Sequence, residues 1–257
     1  MTGLFSLEGR VAAVIGGGGV LAGEMALALA EAGAEVAVLG PTEHKVAARA
    51  QDIHAASGRR AIGVRCDATS KQDLTAARDK ILQELGGVHI LVNAAGINSG
   101  TPFFEITEEE WHRILDVDLK SVFLACQVFG EHMVKPGNGG SVINISSVSS
   151  GPPLSRVFTY SVAKAGVNQI TQFLARDWAQ QGVRVNAIVP GFFPAEQNRR
   201  LLTEERVARI MGHTPMGRFG ESRELAGAVI YLASEAASGF VTGAILRVDG
   251  GFGAMTI

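Results

Sequence analysis

Cysteine is scarce: the 257-residue sequence has two, Cys66 and Cys126, far apart and outside any CxxC pair. A disulfide framework and a cysteine-based zinc site are therefore excluded as organising principles. The six histidines are scattered without ligand spacing, so no metal site is expected. A local excess of one charge is missing too. The formal net charge is −2 and Lys and Arg form no run, which argues against a nucleic-acid or a membrane partner. No apolar run approaches the roughly 20 residues that cross a bilayer. The first residues lack the basic-then-apolar layout of a secretory signal, and a cytoplasmic location is the expectation. No linker rich in Pro, Ser or charge interrupts the chain, and no internal repeat occurs, so residues 1–257 are expected to form one domain.

What the sequence does contain is a regular alternation of strand-like and helix-like segments. Short apolar runs at 10–15, 35–39, 61–65, 89–92, 141–145, 184–189 and 244–248 read as strands. Helical spacing covers 21–32, 43–57, 71–85, 108–115, 119–134 and 159–180. The strands are apolar throughout instead of alternating, so both of their faces are covered, as in a parallel sheet between helices. Repeated strand–helix–strand units imply right-handed crossovers and a doubly wound α/β fold of Rossmann type.

Two constellations carry chemistry. The first is the glycine turn Ile15-Gly16-Gly17-Gly18-Gly19-Val20-Leu21-Ala22-Gly23, between the first strand and the first helix. Glycine lets backbone approach a pyrophosphate closely, and the helix start offers amides and the positive end of a dipole. At the end of the second strand, Leu39-Gly40-Pro41-Thr42 has neither the acid that favours NAD nor the arginine that favours NADP. The second constellation is Ser147 after a strand-like run, followed by Tyr160 and Lys164 four residues apart on one helix face. An ammonium beside a phenol stabilises phenolate, so such a tyrosine can exchange a proton with the oxygen of a carbonyl or alcohol. A nearby serine hydroxyl can hold that same oxygen.

In order and spacing, these segments resemble the short-chain dehydrogenase/reductase family over nearly the whole chain. The resemblance also rests on Cys66-Asp67-Ala68, Asn93-Ala94-Ala95-Gly96, Ile145-Ser146-Ser147, Tyr160-Ser161-Val162-Ala163-Lys164, Pro190-Gly191 and Val248-Asp249-Gly250-Gly251. Several strings are similar to its D-mannonate oxidoreductase (fructuronate reductase) subgroup, among them Val14 to Leu21, Pro190-Gly191-Phe192-Phe193 and His213 to Gly220. The resemblance implies a seven-stranded parallel sheet, NAD or NADP as cofactor, and Ser147, Tyr160 and Lys164 as catalytic residues. It implies cofactor contacts from Gly16, Gly18, Gly19, Leu21, Asp67, Ala68, Asn93, Ala94, Gly96, Pro190, Gly191 and Phe193, and from Tyr160 and Lys164 themselves. Residues 192–220 correspond to a substrate lid, and copies of the chain are expected to pair as dimers or tetramers.

Three departures from the family pattern stand out. Ile15, Val20 and Ala22 occupy glycine-loop positions that usually hold Thr, Gly and Gly. Asp118 stands where an asparagine usually completes a catalytic tetrad, and Ala195 where a threonine usually contacts the carboxamide. The implied reaction is hydride transfer at a secondary alcohol or ketone of a small molecule, with a sugar acid such as D-mannonate as first expectation. Arg156, Asn198 and Arg199 are the candidate substrate contacts, since an arginine fork can bind both oxygens of a carboxylate. The alternatives are a neutral polyol, a 3-oxoacyl thioester, or a dinucleotide-binding sensor without turnover.

Overall fold

Seven short segments become strands, and all of them pair in parallel in the order β3-β2-β1-β4-β5-β6-β7. The computed structural model describes residues 3–152, 154–194 and 203–255. The strands are β1 (Val11–Ile15), β2 (Glu35–Gly40), β3 (Ala61–Arg65), β4 (Ile90–Asn93), β5 (Gly140–Ile145), β6 (Val183–Pro190) and β7 (Ile245–Val248). β1, β4 and β6 are buried along their whole length, as strands covered on both faces must be, with Asn93, Arg184 and Asn186 the polar side chains among them. Along β1 the side chains divide between two cores. Ala12 and Val14 face one, while Val11, Ala13 and Ile15 face the other.

The first core packs α1 (Val20–Glu31) and α2 (Glu43–Ser57) with α8 (Ala226–Ala233). The second packs α3 (Lys71–Leu85), α5 (Ser121–Met133) and α6 (Phe158–Trp178). The helices begin and end on local signals. Ser70 accepts from the Asp73 N–H at the start of α3, and Gly58 and Gly86 end α2 and α3 in the left-handed conformation. The expected strands and first six helices are present, within two residues at each end. The exception is the break between residues 115 and 119. There α4 (Glu108–Leu115) runs into α5 through a π-turn at Asp116–Lys120, giving one continuous rod. The helices α7 (Glu204–Gly212), α8 and the short α9 (Glu235–Ser238) were not foreseen.

Strand order reverses between β1 and β4, which lie side by side while their crossovers lead to opposite edges of the sheet. Loops leaving the carboxyl ends of these two strands diverge and open a crevice, the usual ligand position in a doubly wound sheet. Both constellations read from the sequence belong to this edge of the sheet: the glycine turn follows β1, and Ser147 follows β5.

The opposite edge is tied by His89. Its Nδ1 accepts the Val11 N–H at 3.0 Å, and its backbone pairs with both Val11 and Ser141. Burial, with the Arg10 charge adding, holds this imidazole below the ordinary histidine range, so the folded chain keeps it neutral. The unfolded chain then binds the proton first, and stability must fall as pH drops through the folded-state value. Urea unfolding between about pH 8 and about pH 5 should show this loss, and His89→Gln should flatten the slope.

Candidate active site

The glycine turn is dictated by contact. Gly16 has a φ of +81°, and a Cβ there would lie 2.8 Å from the Ala94 carbonyl oxygen and 2.9 Å from the Ala95 nitrogen. Both obstacles are backbone at the end of β4, so no side chain can yield. A Cβ on Gly17 would meet the Val38 side chain at 2.9 Å and the Val14 carbonyl at 3.0 Å. Gly19 is the residue before α1 and has no side chain to cap the helix, so among the described residues no N-cap side chain takes its first-turn amides. A glycine-lined approach, an uncapped helix start and a strand-order reversal together fit a dinucleotide pyrophosphate. A further fit is Asn93 Oδ1, buried at the end of β4 with no partner among the described residues.

A polar seam joins β5 to α6. Asn93 Nδ2 donates to Asn144 Oδ1 at 2.8 Å, across a register in which the two residues face each other. Asn144 Nδ2 donates to Thr171 Oγ1 at 2.9 Å, and Thr171 donates on to the Val167 carbonyl. Nearer the strand end, Ser146 Oγ donates to the Lys164 carbonyl at 3.2 Å, and Lys164 Nζ donates to the Ile145 carbonyl at 3.1 Å. Ser147 opens a 3₁₀ turn over Val148–Ser150, and its Oγ accepts from the Ser149 N–H and faces the Ser149 hydroxyl at 3.1 Å. Asn168 Nδ2 donates to Ser150 Oγ at 2.9 Å, so α6 also braces the turn that carries Ser147.

Tyr160 is half-buried, and the Lys164 ammonium lies 5.4 Å from its ring centroid. Lys164 also meets a carboxylate. Asp118 Oδ1 lies 3.3 Å from Nζ, with the side chains of lysine and aspartate 4% and 0% exposed. The contact is an ion pair without hydrogen-bond alignment, since Asp118 Oδ1 has no bonded donor. Asp118 Oδ2 accepts the Ile97 N–H at 3.0 Å. Burial pushes the Asp118 carboxyl above its ordinary range, against the pull of Lys164 and the Ile97 N–H. The expected set Ser147, Tyr160, Lys164 and Asp118 is thus tied to α6 and its neighbours.

A family model described as enoyl-(acyl carrier protein) reductase matches residues 19–253. The chain is 36% identical to 2-dehydro-3-deoxy-D-gluconate 5-dehydrogenase of Escherichia coli, over 96% of this chain and 97% of that one. It belongs to the short-chain dehydrogenase/reductase family. The family's activity, oxidation or reduction at CH–OH groups, makes the chain an oxidoreductase of that kind. Among solved structures, a gluconate 5-dehydrogenase from Burkholderia cenocepacia in complex with NADP and tartrate superposes with a TM-score of 0.94, at 35% identity and 98% coverage of both chains. A protein provisionally assigned as a D-mannonate oxidoreductase of Haemophilus influenzae, with bound NAD, gives 0.91 at 33% identity, covering 98% of this chain and 97% of that one. Both kinds of nicotinamide cofactor occur among these relatives, in line with the expectation of NAD or NADP.

The remaining sequence-derived positions of this dehydrogenase/reductase are spread over several settings. Ala94 and Gly96 follow β4 at the crevice, and Leu21 lies in the first turn of α1 beside Gly18 and Gly19. Pro190 ends β6, and a Cβ on Gly191 would lie 2.7 Å from Asp249 Cα, so that glycine is fixed by packing against the end of β7. The side chain of Phe193 is 7% exposed and joins the hydrophobic core, so packing accounts for it. Asp67 is exposed, and its Oδ1 is engaged by the Thr69 N–H and hydroxyl, next to Ala68. Asn198 and Arg199, together with Ala195, lie outside the described residues.

Arg156 is exposed in the loop before α6 and has a φ of +66°, the one positive value among described residues other than glycine. Arg206, in the first turn of α7, donates to the carbonyl of neighbouring Ser155 at 3.4 Å. Burial and the Arg156 charge push the Arg206 guanidinium below its ordinary value. Among the described residues, neither arginine has an acidic side chain within ion-pair distance. Sequence reasoning missed Arg206, and with it Asn144, Asn168 and Thr171. The one available signal was Asn144, a polar residue inside an apolar strand.

Gly16→Ala should cost about 1–3 kcal/mol of stability and weaken nucleotide binding, because strain and a backbone collision coincide there. Urea denaturation and quenching of NADH fluorescence would measure the two effects.

Proposed function

We propose that this chain interconverts a secondary alcohol and a ketone on a small sugar acid, D-mannonate and its keto product being the first candidates, with NAD or NADP as hydride partner. The observation that carries the acidic substrate is the pair Arg156 and Arg206, two guanidiniums at the entry to the catalytic helix without a described acidic partner. Like charges placed together without a counterion favour an anionic ligand. The relatives named above act on, or are assigned to, gluconate, a dehydro-deoxy-gluconate and mannonate, each of which carries a carboxylate.

When bound, the nicotinamide supplies or accepts the hydride. In this reading Gly16, Gly18, Gly19 and Leu21 hold the pyrophosphate, Asp67 and Ala68 border the adenine, and Asn93, Ala94 and Gly96 line the middle of the cofactor. Pro190, Gly191 and the backbone of Phe193 border the nicotinamide. Ser147 holds the reacting oxygen by hydrogen bonding. Tyr160 gives that oxygen a proton in reduction and takes one in oxidation. The Lys164 charge favours phenolate when the proton has left. Residues 192–220 form a lid over the substrate, with Asn198 and Arg199 as further contacts. Phe123 on α5 and Val162 and Phe173 on α6 are exposed, which supports pairing of copies through these helices.

Turnover should be assayed with NAD and NADP across aldonic acids and neutral polyols. Tyr160→Phe should lower kcat by about 10²–10⁴-fold with the fold retained. Arg156→Ala and Arg206→Ala should each raise KM for the acid about tenfold or more, leaving a neutral polyol nearly unaffected. Equal effects on acid and polyol would rule out the carboxylate role. Turnover of polyols alone would move the substrate class to neutral sugars.

A further inference from the structure

We infer that Asp118 is a positioning residue that acts through Lys164: its carboxylate offsets the lysine's charge and keeps the Tyr160 phenol protonated to higher pH than an uncharged side chain would. The inference rests on the reading of Tyr160 as the proton-transfer group only for its effect on turnover. The charge coupling itself is a property of the chain without ligand.

The position is built for a carboxylate. Its two oxygens each face a donor: Oδ2 takes the Ile97 N–H at 3.0 Å and Oδ1 lies 3.3 Å from the Lys164 ammonium. A carboxamide has one acceptor and would turn its NH₂ toward one of these donors. The π-turn at Asp116–Lys120 sets the direction. Asp118 is buried inward, while Asp116 and Lys120 pair with each other at 3.2 Å on the half-exposed outer side. Gly96 makes the space, since a Cβ there would lie 2.8 Å from Asp118 Oδ1 and 3.6 Å from Lys164 Nζ.

The surroundings add little other charge. From α6 come Lys164 and Tyr160, and from α4 the more distant Arg113, which also favours the ionised carboxylate. The loop after β4 supplies the Ile97 N–H, β5 the Ile145 carbonyl, and the turn 147–150 only hydroxyls and backbone. An ammonium held 3.3 Å from a buried carboxylate presents less net positive charge to a phenol beside it. Alcohol oxidation needs the phenolate and carbonyl reduction the phenol, so this offset acts in opposite senses on the two directions.

The chain has two tyrosines, so a Tyr231→Phe background leaves Tyr160 as the sole source of tyrosinate absorbance. In the full-length, nucleotide-free protein, adding Asp118→Asn should lower the pH midpoint of tyrosinate formation by about one unit. Gly96→Ala, whose Cβ would press on Asp118 Oδ1, should disturb the pair and move the midpoint by less. Circular dichroism recorded in parallel confirms that each variant is folded at each pH. The pH profile of kcat/KM for oxidation should shift acidward by the same amount. An unmoved tyrosinate midpoint in either folded variant overturns the inference. A moved midpoint with an unmoved rate profile upholds the coupling and instead removes Tyr160 from the proton-transfer role.

Discussion

The attachment of α6 to the carboxyl end of β5 is the constraint on which the site depends. Four polar contacts make it: Asn144 to Thr171, Ser146 to the Lys164 carbonyl, Lys164 to the Ile145 carbonyl, and Asn168 to Ser150. Each is buried or half-buried, where an unmade bond would leave a costly orphan, so the seam has one low-energy alignment. That alignment fixes three candidate groups at once. Tyr160 and Lys164 project from successive turns of the helix, and the Ser147 turn is clamped from the same helix. Hydrophobic burial brings α6 to the sheet, but apolar contacts alone would tolerate sliding along the strand direction. The directional bonds remove that freedom.

At the neighbouring strands the constraint is steric instead of polar. Gly16 and Ala94 bring the ends of β1 and β4 so close that only a hydrogen fits between them. The crevice begins where this contact ends, because the chain after β1 turns toward one edge of the sheet and the chain after β4 toward the other. The glycine turn and the Tyr160–Lys164 pair thus share one edge of one sheet, held by different physics on adjacent strands.

Much of this was legible in the sequence, for reasons that can be named. Strands buried on both faces read as largely apolar runs without alternation, so Val11–Ile15 and Val183–Pro190 were found to within a residue. Helices with amphipathic spacing and glycine stops, such as Lys71–Leu85, were found at their full extent. Glycines forced by a close approach and a Tyr–Lys pair on one helix face are local patterns, and local patterns survive in one dimension. What escaped depends on partners distant in sequence. Thr171 looks like any helix threonine until Asn144 faces it, and Arg206 looks like a surface arginine until Ser155 and Arg156 lie beside it. The gap left between residues 115 and 119 marks a real irregularity, since a π-turn disturbs the period without ending the helix.

That π-turn makes the length of the segment part of the site. The rod from Glu108 to Met133 contains a turn one residue wider than its neighbours. Excising one residue from Asp116–Lys120 would close the wide turn into a regular helix, leaving the two halves of the rod nearly in their present phase but shifting side chains within the turn by one position, about 100° around the axis. The carboxylate would swing off the ammonium although its immediate neighbours in sequence remained. Substitutions at surface positions of this rod are thus tolerable drift, whereas a single-codon deletion there is a change of geometry. Between related chains, an intact residue count across this stretch is as informative about the pairing as the identity of the acid itself.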